Sequence, residues 1–292
     1  MKTLRTFFLF FSLLISAITV PSCDSSTNIL PAINIFTDAD DVKLGDQVVD
    51  QINHDPASYP LYTGTNADAI TSYISSTVVG EVLKSSDIQK KSIYNYQTKI
   101  HLIKDDKTMN AFALPGGPVY IYTGLLKYLP NESALAGVLG HEIAHAERRH
   151  ASTRMSQEMG LNALLSVILG ENPSQLAQIA AQLFTGLTLL QNSRANEDEA
   201  DLYSFKYLTD SKYYSGSVKF FFEKMRDDGL VSSKSDKIAL FLSTHPDPID
   251  RIASTDTRLT TAGKPVISYN STGSGINLYI NEYQTNIVSK LP

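Results

Sequence analysis

Apolar residues recur along this chain in two rhythms, and the rhythms divide it into elements. From Asp38 to Asn53, Val42, Leu44, Val48, Val49 and Ile52 keep a helical period behind an acidic first turn, and His54-Asp55-Pro56 and Tyr59-Pro60 end it. A second helical pattern covers 66–85, through Ala69, Ile70, Tyr73, Ile74, Val78, Val82 and Leu83. The rhythm then shortens. Residues 98–104, 109–114 and 119–122 are brief runs broken by Asp105-Asp106-Lys107 and by Pro115-Gly116-Gly117-Pro118, and they read as three strands. Helical spacing returns with a turn over Leu125 to Leu129. Asn131 is then a candidate N-cap for a helix whose broad apolar face is Leu135, Val138, Leu139, Ile143 and Ala146, predicted to run to about Glu158. Apolar runs at 161–169 and 176–190, parted by Gly170-Glu171-Asn172-Pro173, predict a covering pair of helices, with a lid or membrane-dipping role as the alternative. Further helices are predicted from Asn196 through Leu208, over 218–230 with its Phe220-Phe221-Phe222 run, and from Ile249 onward. Partly alternating apolar positions from Ile267 to Tyr283 predict a short hairpin and tail over 265–292.

The N-terminus follows a different logic. Lys2 and Arg5 precede an apolar stretch from Phe7 to Val20, too short to span a bilayer comfortably, and Val20-Pro21-Ser22 leads to Cys23. This resembles a bacterial lipoprotein signal. Residues 1–22 are therefore expected to be removed, Cys23 to carry lipid and bind a membrane surface, and 23–37 to tether a single domain at 38–292. Such a chain belongs on the periplasmic side of a bacterial envelope, with the outer membrane as the expected anchor. Cys23 is the only cysteine, so no internal disulfide forms. The length of 292 residues, 42% hydrophobic and 19% charged, supports an ordinary core. The net charge is −5, and it becomes more negative by two once Lys2 and Arg5 are lost. With no basic run to track phosphates, this argues against a nucleic-acid partner.

The chemistry centres on His141-Glu142-Ile143-Ala144-His145. Histidines four apart on a helix leave the same face about one turn apart and can grip one zinc ion, while Glu142 is placed to handle the proton of an attacking water. A buried helix carrying two histidines and a glutamate needs a partner for them, and a metal supplies it. Arg148 and Ala151 stand where a metzincin has glycine and its third histidine, so His150 is not read as a ligand in that form. The third ligand is instead sought in Asn196-Glu197-Asp198-Glu199-Ala200-Asp201. Glu197 is assigned as ligand and Asp201, four residues on and on the same face, as the acceptor that orients an imidazole, expected to be His141. Glu199, on another face, competes for the ligand role. His245, in Ser243-Thr244-His245-Pro246, is read as an oxyanion stabiliser or a fourth ligand, with Arg251 in support. Asn110, Ala111, Phe112 and Ala113 are read as an edge strand that pairs with substrate backbone; an interior strand is the alternative. His54 and His101 are read as carrying no chemistry.

Together, Asn110 to Gly117, Thr123-Gly124-Leu125-Leu126, His141 to His145, Glu197 to Asp201 and Ser243 to Pro246 resemble HtpX-like and CAAX-prenyl-protease-like zinc metallopeptidases, in particular their periplasmic lipoprotein branch. The resemblance spans roughly 38–260. It implies an α+β gluzincin fold, mostly helical, with a small mixed sheet beside the motif helix. It also implies one zinc ion per chain and endopeptidase action on misfolded or membrane-associated envelope proteins. A different class of function, a chaperone or assembly factor with latent proteolysis, fits the same residues.

Overall fold

Charge and capping start the first helix where the pattern places it. In the computed structural model, α1 (Asp38–Asn53) opens on a capping box, in which Thr37 accepts from the Asp40 N–H and the Asp40 side chain accepts from the Thr37 N–H. The structure describes residues 34–158, 178–181, 183, 192–231 and 236–292, all within one unit, Ala32–Pro292. The expected signal at 1–22, Cys23 and the 161–169 run lie outside the described residues, as does most of 176–190. Residues 34–37, expected to be the end of a tether, are fastened to the domain: Asn34 donates to Ser152 Oγ at 2.9 Å, and Arg149 donates to the Phe36 carbonyl at 2.5 Å.

The helix α2 (Thr65–Tyr73) runs on through a π-helical stretch, Ile74–Val79, and a last turn, Gly80–Val82. A short helix, α3 (Lys91–Tyr94), precedes the sheet. The three strands are β1 (Ile100–Ile103), β2 (Ala111–Ala113) and β3 (Val119–Tyr122), in the order β1-β3-β2. β1 runs parallel to β3, with Ile100 opposite Val119, and β2 runs antiparallel to β3, with Phe112 opposite Tyr120. The sheet is small and mixed, as expected. β2 is an edge. The Asn110 carbonyl accepts from Tyr122 and the Leu114 N–H donates to Pro118, so the intervening Ala111 and Ala113 turn their backbone groups away from β3.

Close backbone approach locks the β2–β3 turn to α1. A Cβ on Gly45 would sit 2.0 Å from the Pro115 carbonyl oxygen, and one on Gly116, whose φ is +74°, would sit 2.4 Å from Val42 Cα. Phe112, Tyr120 and His101 stack across the strands, with centroids 5.1 and 4.6 Å apart. Ile179, Ala180 and Leu183, among the described residues of the expected 176–190 helix, pack into the same small core as α1, Tyr120 and Phe112.

After α4 (Thr123–Tyr128), the helix α5 (Glu132–Glu147) carries the motif through the middle of the larger core. Asn131 caps it by accepting from Ala134 at 2.9 Å, and all its residues are buried. Its apolar residues pack into the core and its buried histidines and carboxylates meet polar partners, so the whole helix lies inside the protein. It is shorter than its pattern predicts: Arg149 takes a left-handed φ of +60°, and a separate helix, α6 (His150–Glu158), begins. Arg149 is held in that turn by Asp41, 2.6 Å away, and by the Phe36 carbonyl.

The remaining described helices are α7 (Arg194–Thr209), α8 (Val218–Asp227), α9 (Asp236–Thr244), α10 (Pro248–Thr261) and α11 (Ile280–Asn286). The hairpin expected over 265–292 is not formed. That segment holds α11 and a 3-10 turn, Val288–Lys290, and Leu278, Tyr283 and Ile287 go into the main core. Its alternating apolar residues serve an irregular chain laid on a helix surface, which needs no strand partner.

Candidate metal centre

Glycine lets the two halves of the site meet. On α5, a Cβ at Gly140 would lie 2.8 Å from Ser204 Oγ of α7, and one at Gly137 would lie 2.5 Å from the Ser217 backbone. Ser204 Oγ instead donates to the Gly137 carbonyl at 2.9 Å. The close crossing brings the first turns of α7, capped by Ser193, against the last turns of α5.

His141, His145, Glu197 and His245 converge there. One ligand atom from each lies within 4.8 Å of all the others, and all four residues are buried. His141 Nε2 and His145 Nε2 are 2.9 Å apart, and Glu197 stands 3.4 and 3.3 Å from them. Among the described residues neither Glu197 oxygen accepts a hydrogen bond, although Arg251 Nη1 is at ion-pair distance, 2.8 Å, off the bonding direction. Two ring nitrogens facing each other beside an unsatisfied buried carboxylate form a donor set for a cation.

The charges fit a divalent one. Burial pushes Glu197 up, but His245, Arg251 and His141 outweigh it and hold the carboxyl well below its usual range. Asp201 is held at about 2, its burial overcome by Arg251 and His141, and Glu142 is lowered despite burial by its bond to His245. Against these three carboxylates stands the single guanidinium of Arg251, leaving two negative charges. The histidines register the imbalance. Burial and Arg251 pull His141 down, yet Asp201 and Glu197 win and push it up to about 9. His145 is pulled down to about 4 by burial and by His141.

Glu142 lies beside this group. Its Oε2 accepts from the Ala113 N–H of β2 at 3.0 Å, and its Oε1 is 3.5 Å from His245 Nε2. His245 is fixed by Thr244 Oγ1, 2.8 Å from Nδ1, and by stacking on Phe241. A groove of about 580 Å³, open to solvent, runs from Phe112, Ala113 and Leu114 past Glu142 and His145 to Arg154. Asp201 Oδ1 is 2.9 Å from His141 Nδ1. Asn110 is buried beside β2, with its Oδ1 unpartnered among the described residues.

Arg251 has other partners than the support of His245 read from the sequence, and Glu199, read as the competitor on another face, keeps to that face. Arg251 faces away from the groove. It makes a two-pronged bond to Asp201 at 2.7 and 2.6 Å, covers the Phe222 ring at 4.2 Å and is fully enclosed. Glu199 stays outside the four-residue group and bonds His150 and Arg148. The reading missed the Ala113–Glu142 bond and the approach of His150 to His145; both join elements far apart in register or broken by Arg149, and no local spacing encodes them. His54 is exposed and His101 lies on the sheet face.

The sequence pattern of Peptidase family M48 matches residues 74–259. The chain belongs to peptidase family M48. It is 31% identical over 258 residues to the beta-barrel assembly-enhancing protease of Escherichia coli K12, covering 82% of this chain and 50% of that protein. It is 34% identical over 162 residues to a putative beta-barrel assembly-enhancing protease of Vibrio cholerae, covering 52% of this chain and 32% of that one. It is 31% identical over 175 residues to the mitochondrial metalloendopeptidase OMA1 of Schizosaccharomyces pombe, covering 60% of this chain and 50% of that one. The M48 chain thus spans about half the length, or less, of these relatives. Among its described residues, no helix is long and apolar enough to cross a membrane.

Proposed function

We propose that this chain is a zinc-dependent endopeptidase that cleaves misfolded or membrane-associated proteins of the bacterial envelope. The observation that carries the reading is the buried convergence of His141, His145, Glu197 and His245 with Glu142 beside it, at the foot of an open groove. A divalent cation in that donor set supplies Lewis-acid polarisation of a peptide carbonyl and makes water a better nucleophile. The chain's own residues do the rest. Glu142 takes the proton of the attacking water and passes it to the leaving amine. The free edge of β2, from Asn110 to Ala113, lines substrate backbone along the groove, and the Ala113 N–H keeps Glu142 turned toward the reacting atoms. Asp201 holds the His141 ring, and Arg251 keeps Asp201 and Glu197 charged. His245 either stays with the donor set in a resting form or swings to the developing oxyanion. The names of the bacterial relatives support an envelope location, and we place the chain on the periplasmic side, held by lipid on Cys23; lipid labelling lost in Cys23→Ser checks this.

A second reading has its own support. Both Glu142 oxygens are engaged, by Ala113 and His245, as in an enzyme at rest. An assembly factor with latent proteolysis has that form, and the word "assembly-enhancing" in the relatives' names fits it. One experiment separates the two. Purified wild type and Glu142→Gln are assayed on casein or a denatured porin, with and without chelator, alongside metal analysis. The enzyme reading expects chelator-sensitive cleavage, and zinc retained in the variant with roughly 10²–10⁴-fold less cleavage. Full proteolysis in a zinc-loaded Glu142→Gln removes Glu142 from the proton step. Binding without chelator-sensitive cleavage favours the assembly factor.

A further inference from the structure

The site has an acid for one imidazole of the motif helix in Asp201; the second, His145, has no carboxylate on its outer nitrogen among the described residues. What it has is His150. The two Nδ1 atoms are 2.7 Å apart, and His150 Nε2 lies 2.8 Å from Glu199 Oε2. Arg148 Nε donates to the other Glu199 oxygen at 2.9 Å. His150 and its contact with His145 are buried.

Proton counting gives these contacts a direction. A carboxylate only accepts, so His150 Nε2 carries a hydrogen and donates it to Glu199. A neutral His150 then has a bare Nδ1. Two ring nitrogens 2.7 Å apart share one proton, so the hydrogen between them belongs to His145 Nδ1. His145 Nε2 is left bare, and it points at His141 and Glu197. A cation needs that lone pair.

The backbone is bent to make this contact. In an unbroken helix, five residues turn through about 500°, which puts His150 roughly 140° away from His145. The left-handed Arg149, φ +60°, ends α5 and turns His150 back onto the ring. A non-glycine residue in that region is strained, and the surroundings hold it there. Arg149 is pinned by Asp41 and the Phe36 carbonyl.

We propose that His150 and Glu199 are positioning residues that fix the tautomer and orientation of His145 as a metal ligand, through the relay Glu199–His150–His145. The inference rests on the metal-site reading above and deepens it. The role assigned to both is exercised through His145: His150 lines the groove beside it, and Glu199 acts through His150. Asp201 keys His141 directly; Glu199 keys His145 through one intervening ring.

The test measures metal binding, not turnover. Zinc affinity is read by chelator competition, and the coordination sphere by the visible spectrum of the cobalt-loaded protein. His150→Phe fills the space without an acceptor, and His150→Asn restores an oxygen near the Nδ1 position. His150→Phe is expected to bind zinc 10–100-fold more weakly than wild type with a shifted cobalt spectrum, and His150→Asn to recover most of both. Glu199→Gln, a change at a half-buried site that spares the core, is expected to weaken binding roughly tenfold and serves if His150→Phe does not fold. Wild-type affinity and spectrum in His150→Phe or, failing that protein, in Glu199→Gln overturn the relay while leaving the metal site intact. Equal losses in His150→Phe and His150→Asn also overturn it, since an acceptor then makes no difference. A wild-type protein that takes up no metal overturns both the relay and the reading it rests on.

Discussion

Arg251 shows how much one buried side chain settles. Among the described residues its guanidinium is the one permanent positive charge against Asp201, Glu197 and Glu142, with His141 adding to it when protonated, and burial of those carboxylates without it is costly. Breaking a buried ion pair from one side typically costs about 3–5 kcal/mol, because the other charge stays behind. Arg251→Met keeps the contact with Phe222 and removes the charge. In metal-free protein it is expected to lower stability to urea by about that amount. Zinc then supplies the missing positive charge, so the loss shrinks when the protein is loaded, and adding Asp201→Asn to the variant recovers part of it. A loss of the same size with and without zinc would sink the charge argument and leave Arg251 as packing. The residue also marks where sequence reasoning stops. Histidines four apart, and Glu197 and Asp201 four apart, are legible because each pair lies within one helix turn. That Arg251 would clasp Asp201 fifty residues away is a tertiary fact with no trace in local spacing.

At the scale of elements, the site depends on how closely α5 and α7 cross. Gly140 and Ser204 occupy the crossing, and Ser204 Oγ is tied to Gly137, so it has no room to retreat. Gly140→Ala favours the helix by intrinsic propensity, by nearly 1 kcal/mol. The added methyl nevertheless meets Ser204 Oγ at 2.8 Å and forces α7 outward, for a cost of about 1–3 kcal/mol. Zinc affinity is expected to fall with stability, since Glu197 rides on α7 and the histidines on α5. Ser204→Gly opens the same space, so the double variant is expected to regain both. Additive losses in the double variant, measured by chelator competition and denaturant unfolding, would show that the crossing does not set the ligand geometry. Element identity was legible wherever apolar spacing was regular: α1 matches its predicted bounds, and all three strands lie inside theirs. The end of α5 was not legible, because helical spacing continues through Arg149 and the left-handed turn is held by distant partners, Asp38, Asp41 and the Phe36 carbonyl. The hairpin expected at the C-terminus failed for a related reason. Alternation over 265–292 records which side chains reach the core, and α11 buries Tyr283 without a strand.

For the molecule as a whole, the metal site is the joint between core and groove. α5 runs through the main core, while Phe112 of β2, α1 and the described residues of 178–183 belong to the smaller one, and Glu142 is tied to β2, which touches both, through the Ala113 N–H. A cation bound only by the folded chain adds stability as RT ln(1 + [L]/Kd), about 4 kcal/mol at a thousandfold excess over Kd. For a domain of this size each kcal/mol moves the melting temperature by about 2–4 °C, so stripping zinc with a chelator is expected to lower it by roughly 8–16 °C. The shift reports the joint only if it follows the ligands. His141→Ala and Glu197→Ala are expected to melt at the same temperature with and without zinc. Glu142→Gln keeps the donor set, and its zinc-dependent shift is expected to equal that of wild type even though cleavage is lost. A shift that persists in His141→Ala would mean the ion stabilises some other part of the chain. A shift abolished in Glu142→Gln would make Glu142 part of the cation's own grip, and its place at the side of the donor set, bonded to β2, would then need another explanation.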